Sequence, residues 1–507
     1  QKKEEKDRNI KQAYPPKIEC DALNRQSECL KVTNVLSEEK FDQQLRKIIA
    51  QHGLTGEPRN AHDLPSIIEP VAQLGKKLFF SKALGGDLDS ACASCHHPLL
   101  GGGDALSVSI GVGAHDQDLL GSARTHPEGP TVSRNATSTF NVAFFNHVLT
   151  YDGRFEKLDT LNIIDGTSKF TNSSLQSSIR TPDSLFGEAD PNAGDDLVAA
   201  QSRFPLTMLD EMRGFEFEAH RPGRFVRRHI SARLGNYGEG KGELKRNRWL
   251  TEFQSVFGNI DNPRNLINEN NIAKALSAYQ RSQVFVDTSW RAYVQGNNNA
   301  IDKSAKRGAL MFFQSEDEGG AGCANCHSGD FFTDEQFHVL ALPQIGPGKE
   351  DGRFHDDYGR FRVSGNPIDL YAFRTPTLFN VEVTGPYGHD GAYVNLKGII
   401  KHHLNPAQAV ELYDVTQVNS ALKTQFLDLN TKKALSKLEE NRKALIHAIQ
   451  EIRLNNQQVN DLTSFLLTLT DSCVKSVTCL DPWMPNNDET DPDGLRLKAR
   501  MLTSVAR

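Results

Sequence analysis

A chain of 507 residues is too long for one ordinary hydrophobic core, so two domains with insertions are expected. Hydrophobic residues make up 38% and charged residues 24%, as in globular proteins, and 58 basic against 64 acidic residues leave a net charge of −6. That charge gives no footing for nucleic acid or a polybasic membrane site, and no run of eighteen apolar residues is present to span a bilayer.

The chain opens QKKEEKDRNI, with neither an initiating Met nor an apolar leader, and is read as a mature exported chain whose signal has been removed. Residues 1–64 are polar and carry one helical signal. In LSEEKFDQQLRKIIAQHG, Ser37 is placed to cap, and Phe41, Leu45, Ile48 and Ile49 share one face. A second helix is expected at PVAQLGKKLFF, just ahead of a C-x-x-C-H motif formed by Cys92, Cys95 and His96. Residues 155–200, rich in Ser, Asn, Asp and Thr, read as a long excursion rather than core. One strong helix is expected through NIAKALSAYQRSQVFVDTSWRAYVQG and another at SAKRGALMFFQ, ahead of a second C-x-x-C-H formed by Cys323, Cys326 and His327. The arrangement of helix, short loop and C-x-x-C-H therefore occurs twice, 231 positions apart (323 minus 92), a duplication at the level of domains. Residues 420–455 read as a helical insertion, and QQVNDLTSFLLTLTD as a late amphipathic helix. Strand signals are few and short, so the class is mainly α.

Eight cysteines divide cleanly: four in the two motifs, and two local pairs, Cys20 with Cys29 and Cys473 with Cys479. Local pairs near the termini suit disulfides in an oxidising compartment, with free thiols as the alternative. C-x-x-C-H is the attachment motif of c-type haem, in which two thiols bind the macrocycle and the adjacent His is placed to ligate iron. Zinc ribbons set their second C-x-x-C some 15–20 residues from the first, and these motifs lie far further apart, so two covalently bound haem c groups are the better reading. An occupied sixth position makes an electron carrier, whereas an open one admits a small oxidant. The chain has only five methionines, and after the second motif the first is Met484. Histidine is therefore the better sixth ligand there, with His338, His355, His389, His402 and His403 competing.

The stretches CASCHHP, YDGRFEKL, LTMLDEM, AGCANCHSGDFFTD, GRFRVSGNP, YAFRTPTLFNVEVTGPYGHDGAY and KHHLNP, in that order over residues 65–470, resemble the bacterial di-haem cytochrome c peroxidase and MauG family. The resemblance implies two class I cytochrome c-like haem domains, residues 65–260 (peroxidatic) and 261–470 (electron transfer), between an N-terminal extension and a C-terminal tail at 471–507. His96 becomes the proximal ligand of the peroxidatic haem iron, whose distal pocket carries Glu211 and Met212, with Pro205 and the pocket glutamine at Gln201. His327 becomes the proximal ligand of the second haem iron. The family's distal ligand lies fourteen residues after the His of PY-x-HDG, and counting from His389 reaches His403. Peroxidases carry Met at that position and MauG-like proteins Tyr, so a bis-histidine haem departs from both. His402, one residue away on a helix, is expected to point about 100° elsewhere.

Two further departures concern the first haem. Val112 stands where resting-inactive peroxidases have a ligating His, with His115 three residues later as the lesser candidate, so this haem is expected open at rest. Tyr151 replaces the Trp placed between the haems, as an electron relay or a packed core residue. The resemblance also implies a calcium ion at the Thr384 and Pro386 carbonyls, with Glu128 in the Asn position.

The function implied is reduction of hydrogen peroxide to water at the first haem, with electrons entering through the second from a cytochrome c or cupredoxin. The alternatives are a MauG-like enzyme that oxidises residues of a partner protein, and a non-catalytic di-haem carrier. The expected location is the periplasm, with lipid anchoring and a homodimer both left open.

Overall fold

The computed structural model describes residues 26–58, 64–158, 178–446 and 448–501, the side chains of 26–37 excepted. It is mainly helical, and its strands are two or three residues long. β1 (Val148–Leu149), β2 (Phe155–Lys157) and β3 (Ile179–Arg180) form an antiparallel sheet in that order, and β4 (Phe337–Val339) pairs antiparallel with β5 (Ala372–Arg374). Among the described residues no helix is long and apolar enough to cross a membrane.

The duplication seen in the sequence is a duplicated helix crossing. In the first half α2 (Pro70–Phe79) packs on α4 (Glu269–Arg281); in the second, α5 (Lys303–Phe313) packs on α8 (Asn456–Leu467). Each crossing is closed by a glycine. A Cβ on Gly75 would stand 1.9 Å from Ala275 O, and one on Gly308 1.9 Å from Asp461 O, so only a residue without a side chain permits these approaches. Each of α2 and α5 then delivers the chain to its C-x-x-C-H turn, Cys92–Cys95 or Cys323–Asn325.

The two termini cross over between the halves. α1 (Gln26–Gln51) buries Leu45, Ile48 and Ile49 in the core of the second half. Asp42 accepts hydrogen bonds from Tyr293 Oη and Lys306 Nζ there, at 2.6 and 3.1 Å. The C-terminal tail returns to the first half. Asp493 Oδ2 accepts from Ser81 Oγ (2.6 Å) and Trp249 Nε1 (2.9 Å), Lys76 pairs with Glu489 (2.6 Å), and Leu497, 2% exposed, joins the first core.

Three expectations are corrected. α1 starts at Gln26, so Ser37 lies inside the helix rather than capping it. The helix expected over 271–296 is two, α4 and a short one at Ser289–Val294, because Thr288 caps the second through Arg291 N and restarts it. The stretch 155–200 is not wholly an excursion: Phe155, Ile179, Leu197 and Val198 form a small buried cluster with Phe204, while 159–177 lie outside the described residues. Cys473 and Cys479 form a disulfide; Cys20 and the Cys29 side chain lie outside the described residues.

A buried ion cluster joins the halves. The Arg134 guanidinium forks onto Asp357 (Nε–Oδ2 2.7 Å, Nη2–Oδ1 2.8 Å) and donates to Asp152 Oδ2 at 2.7 Å. Arg360 reaches back to Glu156 Oε2 at 2.6 Å. Burial works to raise the Asp152 and Asp357 carboxyls, but Arg134 overrides it and holds both well below the usual carboxylate range.

Candidate functional site

In the second half, His327 follows the Cys323–Asn325 turn, and its Nδ1–H donates to the Phe332 and Pro376 carbonyls, each at 3.1 Å. His403 lies in the last turn of α6 (Leu396–Leu404), and its Nδ1–H donates to Ile399 O at 2.8 Å. A carbonyl can only accept, so both rings carry their proton on Nδ1 and leave the Nε2 lone pair for a metal. The ring centroids stand 6.3 Å apart with planes inclined by 51°. Two imidazoles on one metal, with metal–nitrogen bonds of about 2 Å, require a centroid separation of roughly 6 Å. His327 and His403 therefore fit a single iron between them. Burial pushes both imidazoles down, His327 to about 4 with the neighbouring His403 adding to it, and so favours the neutral, ligating form of each.

His402 is built differently. It is 0% exposed, its Nε2–H donates to Leu340 O at 2.8 Å, and its Nδ1 accepts from Tyr393 Oη at 2.8 Å. With both nitrogens engaged it has no lone pair for iron. Of the other competitors, His338 Nε2 bonds Asp334 at 2.7 Å with Cys326 close by, His389 stacks on Phe373 at 3.8 Å, and His355 is exposed.

In the first half, His96 Nδ1–H is shared between Thr137 O (2.9 Å) and Gly102 O (3.2 Å), again freeing Nε2. Glu211 lies in a π-helical turn, Leu209–Arg213, lodged against the first motif. Ser90 Oγ donates to Glu211 O at 3.2 Å, Gly86 N to Met212 O at 2.8 Å, and Met212 Sδ lies 3.9 Å from Cys92 Sγ. Burial pushes the Cys92 thiol up to about 12 and Cys95 higher still, and the charge of Glu211 adds to both. The turn thus holds Glu211 beside the first motif, where its charge is felt at both thiols. Burial and then Asp210 raise the Glu211 carboxyl, against Arg154, Lys349 and Arg134.

Gln201 and Pro205, both half-buried, sit on the short helix Leu197–Ser202 and the turn Pro205–Thr207 that lead into this turn. Val112 is buried, its N–H donating to Asp210 O at 3.2 Å. His115 is exposed, with Nδ1 3.1 Å from Thr125 Oγ1.

Residues 69–299 match the family model described as di-haem cytochrome c peroxidase. The chain is 28% identical over 362 residues to the cytochrome-c peroxidase IdrP1 of Pseudomonas sp., covering 67% of this chain and 72% of that one. It is 26% identical over 340 residues to the methylamine utilization protein MauG of Methylorubrum extorquens, covering 67% and 70%. The chain is thus similar to the di-haem cytochrome c peroxidase and MauG family over about two thirds of its length. Among solved structures it resembles the diheme peroxidase BthA from Burkholderia thailandensis, with a TM-score of 0.52 and 20% identity over 86% of this chain and 92% of that one. It is an oxidoreductase, and the likeness to this family implies two haem c groups.

Tyr151 sits at the junction of the halves: its carbonyl accepts from Arg374 N at 2.8 Å, and its Oη donates to Asn135 Oδ1 at 3.2 Å. Beside it, Asp104, Asn135, Ser138, Thr384 and Gly385 line a cavity. Asp104 Oδ2 is buried there without a partner, and burial pushes its carboxyl up to about 6. Glu128 is exposed and is not among the residues lining this cavity, which Asp104 and Thr384 both line. Sequence reasoning missed Asp104, Lys349 and Tyr393. Only the C-x-x-C-H frame, eight residues before Asp104, offered a signal for any of them.

Proposed function

We propose that the protein is a peroxidase that reduces hydrogen peroxide to water at the haem held by Cys92, Cys95 and His96, with electrons delivered through the haem held by Cys323, Cys326, His327 and His403. One observation carries this reading, the asymmetry between the two sites: His327 faces a second imidazole, whereas the residue set against the first motif is the carboxylate Glu211. The haem groups supply an iron that binds and cleaves the oxidant at the first site and stores an electron at the second.

Glu211 is the proton carrier. Its raised carboxyl takes a proton from the near oxygen of peroxide and returns it to the far one, so that water leaves. Gln201 and Pro205 shape the approach to it. The turn Leu209–Arg213 holds Glu211 in place through the main-chain bonds from Ser90, Gly86 and Val112. His403 completes a bis-histidine site, which has a lower potential than a Met-ligated one. Tyr151 lies on the path between the sites. A calcium ion fits the cavity of Asp104 and Thr384, since the unpartnered Asp104 Oδ2 offers an oxygen of the kind hard cations take.

The setting expected is the periplasm, and the donor a reduced small cytochrome or copper protein. Steady-state turnover with peroxide and such a donor tests the reading. The absence of turnover with any such donor, from a fully haem-loaded sample, would overturn it.

A further inference from the structure

Arg124, 2% exposed, turns its guanidinium onto main-chain carbonyls. Its Nε–H donates to Ile110 O at 2.7 Å, Nη2 to Gly111 O at 2.6 Å and Nη1 to Gln117 O at 3.0 Å. Among the described residues no carboxylate lies within ion-pair distance of it, whereas the buried Arg134, Arg203 and Arg227 each meet carboxylates. A guanidinium buried without a counter-charge is costly. What this one gains is geometric: it ties Ile110 and Gly111 to Gln117 and so closes the loop between them.

That loop touches both the first motif and Glu211. Cys95 Sγ stands 3.6 Å from Ile110 O. The next residue, Gly111, presses on the main chain of the Glu211 turn, where a Cβ would come within 2.2 Å of Asp210 O and 2.4 Å of Glu211 O. Val112 N–H then donates to Asp210 O at 3.2 Å, and Gly113 N–H to Asp89 Oδ2 at 2.7 Å. The far end of the loop is fastened by the C-terminal tail: Leu120 N–H donates to Arg500 O at 3.0 Å, and Arg500 N–H to Asp118 O at 2.7 Å. Arg124 is therefore a cross-brace between the end held by the tail and the end that touches Glu211.

We propose that Arg124 is a positioning residue of the first site, holding the segment 110–112 rigid so that Glu211 keeps its place beside the first motif. The inference rests on the peroxidase reading and deepens it, since it names what fixes the proton carrier. Proton transfer to and from a small oxidant tolerates little displacement, an error of about 1 Å costing on the order of 100-fold in rate. Without Arg124 the carbonyls of Ile110 and Gly111 lose their side-chain donor, and the segment is free to shift together with the Val112 bond to Asp210 O. Burial is what raises the Glu211 carboxyl, and a shifted segment admits water to it. Removing the guanidinium should therefore bring that carboxyl back toward the ordinary glutamate range.

The test uses the holoprotein with both haems, as wild type, Arg124→Met, Glu211→Gln and the double variant. Stopped-flow spectra follow the reaction of the ferric first haem with hydrogen peroxide across pH, and haem content is measured for each. The expected result is a rate about 100-fold lower in Arg124→Met, with its acid limb moved to lower pH. No further loss is expected when Arg124→Met is added to Glu211→Gln, because the two act through one group. A merely structural Arg124 would cost the same factor in both backgrounds. That result, or an unchanged rate and acid limb in Arg124→Met, overturns the proposal and leaves the peroxidase reading standing. If the wild type does not react with peroxide, the peroxidase reading fails, and hydrogen–deuterium exchange then decides the brace. Faster exchange at residues 110–113 and 209–213 in Arg124→Met, with the core of the second half unchanged, upholds the proposal, and equal exchange overturns it. Should Arg124→Met fail to load haem, Arg124→Lys, which keeps the charge with fewer donors, is read by the same outcomes.

Discussion

His327 and His403 stand across one gap with ring centroids 6.3 Å apart, each with Nδ1 tied to a main-chain carbonyl. The separation is that expected of two imidazoles sharing a metal, and it sets His403 apart from the adjacent His402 on α6. Replacing His403 by Ala should convert the second haem from low-spin to high-spin ferric, read by EPR and the visible spectrum. His402→Leu should leave the spin state unchanged. His403→Met should raise the potential of that haem in a redox titration, because a thioether stabilises the reduced iron relative to imidazole.

Glu211→Gln keeps the shape of the side chain and removes its basicity. If the carboxylate carries the proton, kcat/KM for peroxide should fall about 100- to 10,000-fold with haem content unchanged. The sign of the pH dependence follows from burial, which raises this carboxyl. The acid limb of the wild-type profile should therefore lie above the ordinary glutamate range, activity being lost as the pH falls through it. Stopped-flow reaction of peroxide with the resting protein across pH gives both.

Arg134→Met leaves Asp152 and Asp357 buried together with no cation between them, which should cost about 3–5 kcal/mol. In the wild type both carboxyls sit below their unfolded values. The stability they contribute is thus present above an unfolded pKa of about 3.9 and is lost as the pH falls through the folded values. The gap between wild type and Arg134→Met should be full at neutral pH and shrink in acid. Denaturant midpoints measured across that range test it.

Gly75→Ala and Gly308→Ala each press a methyl onto a main-chain carbonyl at 1.9 Å. The helix crossings must open, and a loss of about 1–3 kcal/mol or more is expected from overpacking. The two should be distinguishable by haem: Gly75→Ala should lower occupancy of the first site, and Gly308→Ala that of the second, by quantitative haem staining of the separated halves after proteolysis.

Much of the architecture is legible in the sequence alone. The cysteine and histidine of each C-x-x-C-H lie within five residues, and helical periodicity is equally local, so α2, α5 and α8 could be read directly. Fourteen residues counted from His389 reached His403 because a turn and one helix of set rise lie between them. The excursion at 155–200 misled because its polar composition masked Phe155, Ile179 and Val198, which bury only when the chain closes on itself.

The amino-acid sequence by itself determined the two C-x-x-C-H motifs, the mainly α class and the duplicated helix–loop–motif plan, since each depends on neighbours along the chain. Only the tertiary structure decided which imidazole nitrogen is free, that the tail packs on the first half and α1 on the second, that Arg134 joins the halves, and that Asp104 and Thr384 line one cavity. It also decided that Tyr393 meets His402. Each of these is set by burial and by partners distant in sequence, where removing a polar group from water makes one hydrogen bond obligatory and leaves no local trace of which it will be.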